Sequence, residues 1–225
     1  KDFNWDLNAN FATSKNKIVE LYPGVDNFQF GSFGFVGTPL IRVERRVGKA
    51  WGEIVTGAIK RDANGNNLID DDGFPIIEEG QNYGTFVPKL TGGLTSSFTY
   101  KGFTAGFSMD FQIGGKLFSV TEGNLEGSGL AKITAGLNDK GNPKRDAVAN
   151  GGGILIPGLR ASDGKANTTY IDPQDYYEGH IPYAWGERTH DATYLKLREV
   201  SLGYNLPVSI VSKLKAQSAS LSLTA

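Results

Sequence analysis

With 225 residues, 23 basic and 24 acidic side chains and a formal charge of −1, the chain has no overall field to gather nucleic acid or acidic lipid. Thirty Gly, thirteen Phe and nine Tyr against a single Met describe turn-rich β structure rather than packed helices, so the class expected is all-β. Cysteine is absent, which excludes disulfides and thiolate chemistry. No apolar run approaches the ~18 residues of a spanning helix, so a membrane could be crossed only by strands of ~9–11 residues each.

The first element runs from Asp2 to Thr13. Phe3, Trp5, Leu7, Ala9 and Phe11 alternate there with Asn4, Asp6, Asn8, Asn10 and Ala12, which predicts a strand near 3–12 with one apolar face. Ser14–Lys17 reads as a tight polar turn, and Ile18–Tyr22 as an extended piece stopped by Pro23-Gly24. The run Phe28–Phe35 (FQFGSFGF) fits a strand edge and a packed loop equally well. Extended stretches are expected within 40–60, broken by Gly48 and Gly52, followed by a loop over 62–84 rich in Asp, Asn and Gly.

Leu90–Gln112 reads as a hairpin with strands at 90–100 and 103–112 around a Lys101-Gly102 turn. Phe103, Ala105, Phe107, Met109 and Phe111 share one face, while Thr104, Gly106, Ser108, Asp110 and Gln112 share the other. The wet face of a soluble sandwich usually carries Lys and Glu. Small polar residues in their place suit the lumen wall of a transmembrane barrel whose outer face meets lipid.

The stretch 114–189 shows turn chemistry and no long strand, and a connection of that length is usually functional or disordered. Alternation returns over 194–206, where Val200, Leu202 and Tyr204 take one parity and Leu195 and Leu197 the other. A β-bulge, or the membrane boundary, near Arg198-Glu199 would reconcile the two halves. Pro207 ends this strand, a short helix is expected over VSIVSKLKAQ, and a last strand over 218–225. Since outer-membrane barrels keep periplasmic turns short and extracellular loops long, Lys101-Gly102, Ser14–Lys17 and 206–218 are expected at the periplasmic side, with 62–84 and 114–189 outside.

Specific strings carry more than periodicity. TYLKLREVSLGYNLP followed by SIVSKLKAQSASLSLTA resembles the C-terminal signature of the SusC/RagA family of TonB-dependent outer-membrane transporters. FNWDLNANFATSKNKIVEL, RDANGNNLIDDDG, VPKLTGGLTSSFTYKGFTAGFSMDFQIGG and a long loop arrive in the family's order over nearly all of 1–225. The resemblance implies part of a large antiparallel transmembrane β-barrel of the plugged, roughly 22-stranded class, with plug domain and final strands outside this chain. It also implies import of glycan oligosaccharides or peptides across the bacterial outer membrane, a SusD-like surface lipoprotein as partner, and TonB engaged through the missing N-terminal part. An open set of strands leaves edge N–H and C=O groups unpaired in lipid, so 1–225 alone is expected to aggregate.

For sites, Asp62, Asn64 and Asn66 fit positions 1, 3 and 5 of a calcium loop, with Asp70 as a further oxygen ligand for Ca2+. Asn67 replaces the turn glycine and Gly73 stands where the closing acid belongs, so a solvated Asn/Asp turn without metal accounts for the same residues. Tyr176, Tyr177, Tyr183 and Trp185 could stack on substrate, with Tyr183 and Trp185 the preferred pair, or they could pack the loop instead. His180 and His190 lack ligand spacing, and neither a G-x-S-x-G elbow nor a P-loop occurs, so no enzymatic chemistry is expected. The rival reading is a secreted, soluble β-sandwich that binds carbohydrate.

Overall fold

The structure is a computed structural model that describes residues 3–35 and 38–225; Asp2, first residue of the first predicted segment, lies outside them. Strands of five residues or more within the described residues are β1 (Phe3–Thr13), β2 (Asn27–Phe35), β3 (Thr38–Arg46), β4 (Glu53–Ile59), β5 (Ile77–Thr85), β6 (Leu90–Tyr100), β7 (Phe103–Ile113), β8 (Tyr194–Asn205) and β9 (Ser220–Thr224). They divide between two units, one made of Lys1–Lys15, Val87–Gly115 and Ala192–Ala225, the other of Asn16–Phe86 and Lys116–Asp191.

The first unit is a single antiparallel wall in the order β1-β6-β7-β8-β9. Its four long strands have 11 or 12 residues, enough to cross a hydrocarbon layer when tilted. Lys101 and Gly102 both take positive φ (47° and 89°), the two-residue turn whose twist matches its strands, and this sets Tyr100 opposite Phe103.

Register then decides which side chains share a face. Across the wall run the rows Phe3–Tyr100–Phe103–Tyr204–Leu221, Trp5–Phe98–Ala105–Leu202–Leu223, Leu7–Ser96–Phe107–Val200, Ala9–Leu94–Met109–Leu197 and Phe11–Gly92–Phe111–Leu195. Among the described residues nothing within the unit covers this apolar face: Phe11 and Leu195 are each 70% exposed and Phe103 60%. Local contacts knit it sideways. Trp5 stacks on Phe98 and donates its indole N–H to Ser96 Oγ at 3.0 Å, while the Phe111 ring lies over Gly92, where any Cβ would meet Phe111 Cζ at 2.6 Å. A sandwich would have to bury this face under a second sheet, and here it stays open.

The parity change in β8 is a β-bulge. Leu197 pairs with Met109 and Glu199 with Ser108, which leaves Arg198 as the extra residue and keeps Leu195, Leu197, Val200 and Leu202 on one face. Deleting Arg198 would bring Leu197 next to Glu199 in unbroken alternation. The protein is therefore expected to keep its folded-state gel mobility after that deletion. Deleting Lys196 instead would make Leu195 and Leu197 neighbours, so that either Leu195 turns to the polar face or, with the bulge lost, Leu197 turns there and Arg198 to the apolar one, and it is expected to destroy that mobility. Equal behaviour of the two deletions would show that the bulge does not set the faces.

Pairing corrects several sequence expectations. β1 lies beside β6 with Thr13 opposite Leu90, so Ser14–Lys17 leaves the wall at the end away from Lys101-Gly102 and is not a tight turn on the same side. The other excursion leaves at Ile113, opposite Leu90, and returns at Tyr194, opposite Gln112, at that same far end. Ile18–Tyr22 forms no strand; Ile18 instead exchanges backbone hydrogen bonds with Gly48 and Lys49.

The extended pieces within 40–60 are β3 and β4, and they belong to the second unit, not to the wall. There they form a separate antiparallel sheet in the order β2-β3-β4-β5, in which FQFGSFGF is a strand and β5 occupies part of the expected 62–84 loop. The stretch expected to lack regular structure contains α1 (Val120–Gly127) and short strand pairs, and it contributes to a core. Ile59 and Ile69 pack there with Ile154, Ile156, Ile171 and Ile181, and Ile41 and Ile54 with Trp185.

Candidate functional site

The candidate site is the polar face of the wall. Its rows read Asn4–Thr99–Thr104–Gly203–Ser222, Asp6–Ser97–Gly106–Ser201–Thr224, Asn8–Thr95–Ser108–Glu199, Asn10–Gly93–Asp110–Lys196 and Ala12–Thr91–Gln112–Tyr194. Hydroxyls and amides dominate. One organised cluster stands out: the Asp110 carboxylate accepts from Arg198 Nε and, at 3.0 Å, from Arg198 Nη2, and the Tyr194 hydroxyl donates to its Oδ2 at 2.9 Å. The Lys196 ammonium lies 4.5 Å from the Tyr194 ring centroid. The bulge places Arg198 where its planar fork can meet Asp110 from two nitrogens. Asp110 and Arg198 are 88 positions apart, so neither could be seen as half of a pair before the strands were aligned.

Such a surface can hold water and exchange hydrogen bonds with a polar solute along its length. It offers side chains that orient a solute by hydrogen bonds and charge.

The sequence-predicted site residues lie in the second unit. Asp62 closes its own turn: Oδ1 accepts the backbone N–H of Asn64 at 2.9 Å and of Asn66 at 2.8 Å, and Oδ2 accepts Asn66 Nδ2 at 2.9 Å. These bonds, the Asn66 side chain first, hold the carboxyl below its usual 3.8. Asp70 closes the next turn by hydrogen bonding, its Oδ1 accepting from Asp72 and Phe74 N–H at 3.1 and 2.8 Å. A calcium shell needs six to eight oxygens turned toward one point. Here Asp62, Asn66 and Asp70 direct side-chain groups to their own backbone or to one another, and among the described residues no group of three His, Cys, Asp or Glu is placed to hold an ion. The residues fit turn closure better than they fit the ion.

Trp185 is not available for substrate. It is 4% exposed, with its ring edge-on to Phe33 at 5.2 Å and Phe86 and Phe118 packed against the same cluster. Tyr176 and Tyr177 are likewise buried, and burial pushes both phenols up, so they stay neutral through physiological pH. Of the four aromatics only Tyr183 presents a surface, at 46% exposure. Their clustering in sequence came from core packing, a signal that composition alone cannot separate from a binding platform. His180 lies 2.6 Å from the Pro75 carbonyl and His190 2.7 Å from Glu122 Oε2, so each serves a local contact. A cavity of about 380 Å³ within this unit is lined by Glu126, Arg145, Asp172, Gln174 and Glu178 among others. Much of its polar lining is already committed, Arg145 to Thr134 and Gln174 to Glu178.

No family model matches the chain. A curated relative, TonB-dependent receptor P3 of Formosa agariphila, is 25% identical over 240 residues, covering 98% of this chain and 22% of the receptor. Two solved structures resemble the fold. The RagAB peptide importer in the "closed-closed" state matches with a TM-score of 0.56 at 18% identity, over 100% of this chain and 23% of that one. The RagAB peptide transporter matches with a TM-score of 0.59 at 14% identity, over 99% and 23%. The chain thus spans less than a quarter of the length of each protein it matches. The wall and these likenesses together make it part of a large all-β barrel.

Proposed function

We infer that this chain is a segment of a SusC/RagA-like TonB-dependent transporter, acting in nutrient import across the bacterial outer membrane. The observation that carries the reading is the wall itself: five strands with a predominantly apolar, uncovered face on one side and hydroxyls, amides and one fixed ion pair on the other. The whole protein would import glycan oligomers or peptides with a SusD-like lipoprotein over its outer mouth, and would draw energy through TonB by way of its N-terminal part. The wall of this segment gives the solute a wet, weakly binding track. The short turn Lys101-Gly102 and the 206–219 connection would face the periplasm, and both long excursions, including 14–89, the exterior.

Labelling of the full-length protein tests the orientation of the faces, and this chain brings no cysteine of its own. In native membranes, a cysteine at Phe107 is expected to react with a lipid-soluble maleimide and resist a water-soluble one, and a cysteine at Ser108 to do the reverse. Recovery of the protein in the soluble fraction, or identical labelling of the two positions, would overturn the reading and favour a soluble sandwich.

A further inference from the structure

The near-neutral chain hides a local imbalance at the short-turn end of the wall. Two connections meet there, since the Asn205 N–H donates to the Gly102 carbonyl at 2.8 Å. Between them, residues 101–102 and 206–219 carry Lys101, Lys213 and Lys215 and no carboxylate. The Lys101 ammonium is held 5.3 Å from the Tyr100 ring centroid, at the edge of the apolar face, and Lys213 and Lys215 are exposed.

The same end of the apolar face is hollowed. Ala105 is the small member of the row Trp5–Phe98–Ala105–Leu202–Leu223, and above it the Phe103 and Tyr204 rings lie 4.4 Å apart. The result is an apolar groove of about 460 Å³ lined chiefly by Phe103, Ala105, Leu202, Tyr204, Leu221 and Leu223. A groove for hydrocarbon that ends at aromatic rings, with Lys101 beside Tyr100 and two exposed lysines in the neighbouring connection, is complementary to one kind of molecule.

The geometry points to a binding site for an anionic glycerophospholipid of the leaflet at the short-turn end. One acyl chain lies over Ala105 and the headgroup phosphate meets Lys101 with Lys213 and Lys215. The aromatic pair marks the depth at which chain gives way to headgroup. Ammonium groups at a lipid surface attract acidic headgroups additively, so three of them select charge, not merely lipid. The proposal rests on the membrane reading above and adds to it a preference among lipids.

The test is lipid retention by the full-length protein in detergent, read by native mass spectrometry with phosphatidylglycerol and phosphatidylcholine of equal chain length. About tenfold greater retention of phosphatidylglycerol is expected, a value within what three surface lysines supply. Lys101→Gln, Lys213→Gln and Lys215→Gln combined should remove the preference while leaving overall lipid retention, and Ala105→Trp should lower retention of both lipids. Glycerol phosphate without acyl chains should not compete. Equal retention of the two lipids by the unaltered protein, or a preference that survives the triple change, would overturn the proposal. Heat-dependent gel mobility of the same samples separates the two levels: if it is present without a lipid preference, only this site falls, and if it is absent the membrane reading falls too.

Discussion

Phe107→Arg is expected to destabilise the barrel by about 2–4 kcal/mol, whereas Ser108→Arg, one residue on, should cost far less. Phe107 stands near the middle of β7, in the row Leu7–Ser96–Phe107–Val200, on the face that nothing in the wall covers. An arginine there must either leave its charge in hydrocarbon or thin the bilayer around it. Ser108 points to the other face, directly across from Glu199, so an arginine at 108 enters water and gains an opposite charge beside it. The measurement is denaturant unfolding of the refolded full-length protein in lipid vesicles. If both substitutions cost the same, the two faces do not differ in environment and the lumen assignment is wrong.

The second large effect belongs to the other unit. Trp185→Ala is expected to loosen it by about 3–5 kcal/mol, the range for removing a buried large aromatic. The indole fills the space between Ile41, Ile54 and Phe33 and lies against Gly123, where a Cβ would meet the ring at 2.5 Å. Hydrogen exchange in the full-length protein should show lost protection over β3 and β4, which carry Ile41 and Ile54, with the wall unchanged. Trp185→Phe is the informative companion. It keeps most of the packing and removes an indole N–H that has no hydrogen-bond partner among the described residues, so its cost should be much smaller. Loss of substrate uptake with unchanged exchange in Trp185→Ala would instead mark the ring as a binding surface.

How legible each feature was depends on the distance over which its cause acts. The Lys101-Gly102 hairpin and the two faces of β7 could be read directly, because a period of two and a two-residue turn are local properties of the chain. The irregularity near Arg198 was equally visible, since Leu197 and Val200 cannot share a face without an extra residue between them. Calcium ligation at Asp62, Asn64, Asn66 and Asp70 was a weaker inference for a physical reason. The Asp and Asn residues that supply oxygens to an ion are the same ones that close turns on their own backbone amides, and spacing does not distinguish the two uses.

The sequence by itself determined that this chain makes strands with one apolar and one small-polar face, that one hairpin turns at Lys101-Gly102, and that the alternation of one strand breaks near Arg198. Only the tertiary structure decided which strands are neighbours. It placed β1 against β6, which moved Ser14–Lys17 to the opposite end from Lys101-Gly102, and it set Asp110 beside Arg198. It also joined 16–86 with 116–191 around Trp185 and a cluster of isoleucines where loop was expected. Alternation reports the direction in which a side chain points. Partners are chosen by pairing and burial between residues tens of positions apart, and no local pattern carries that information.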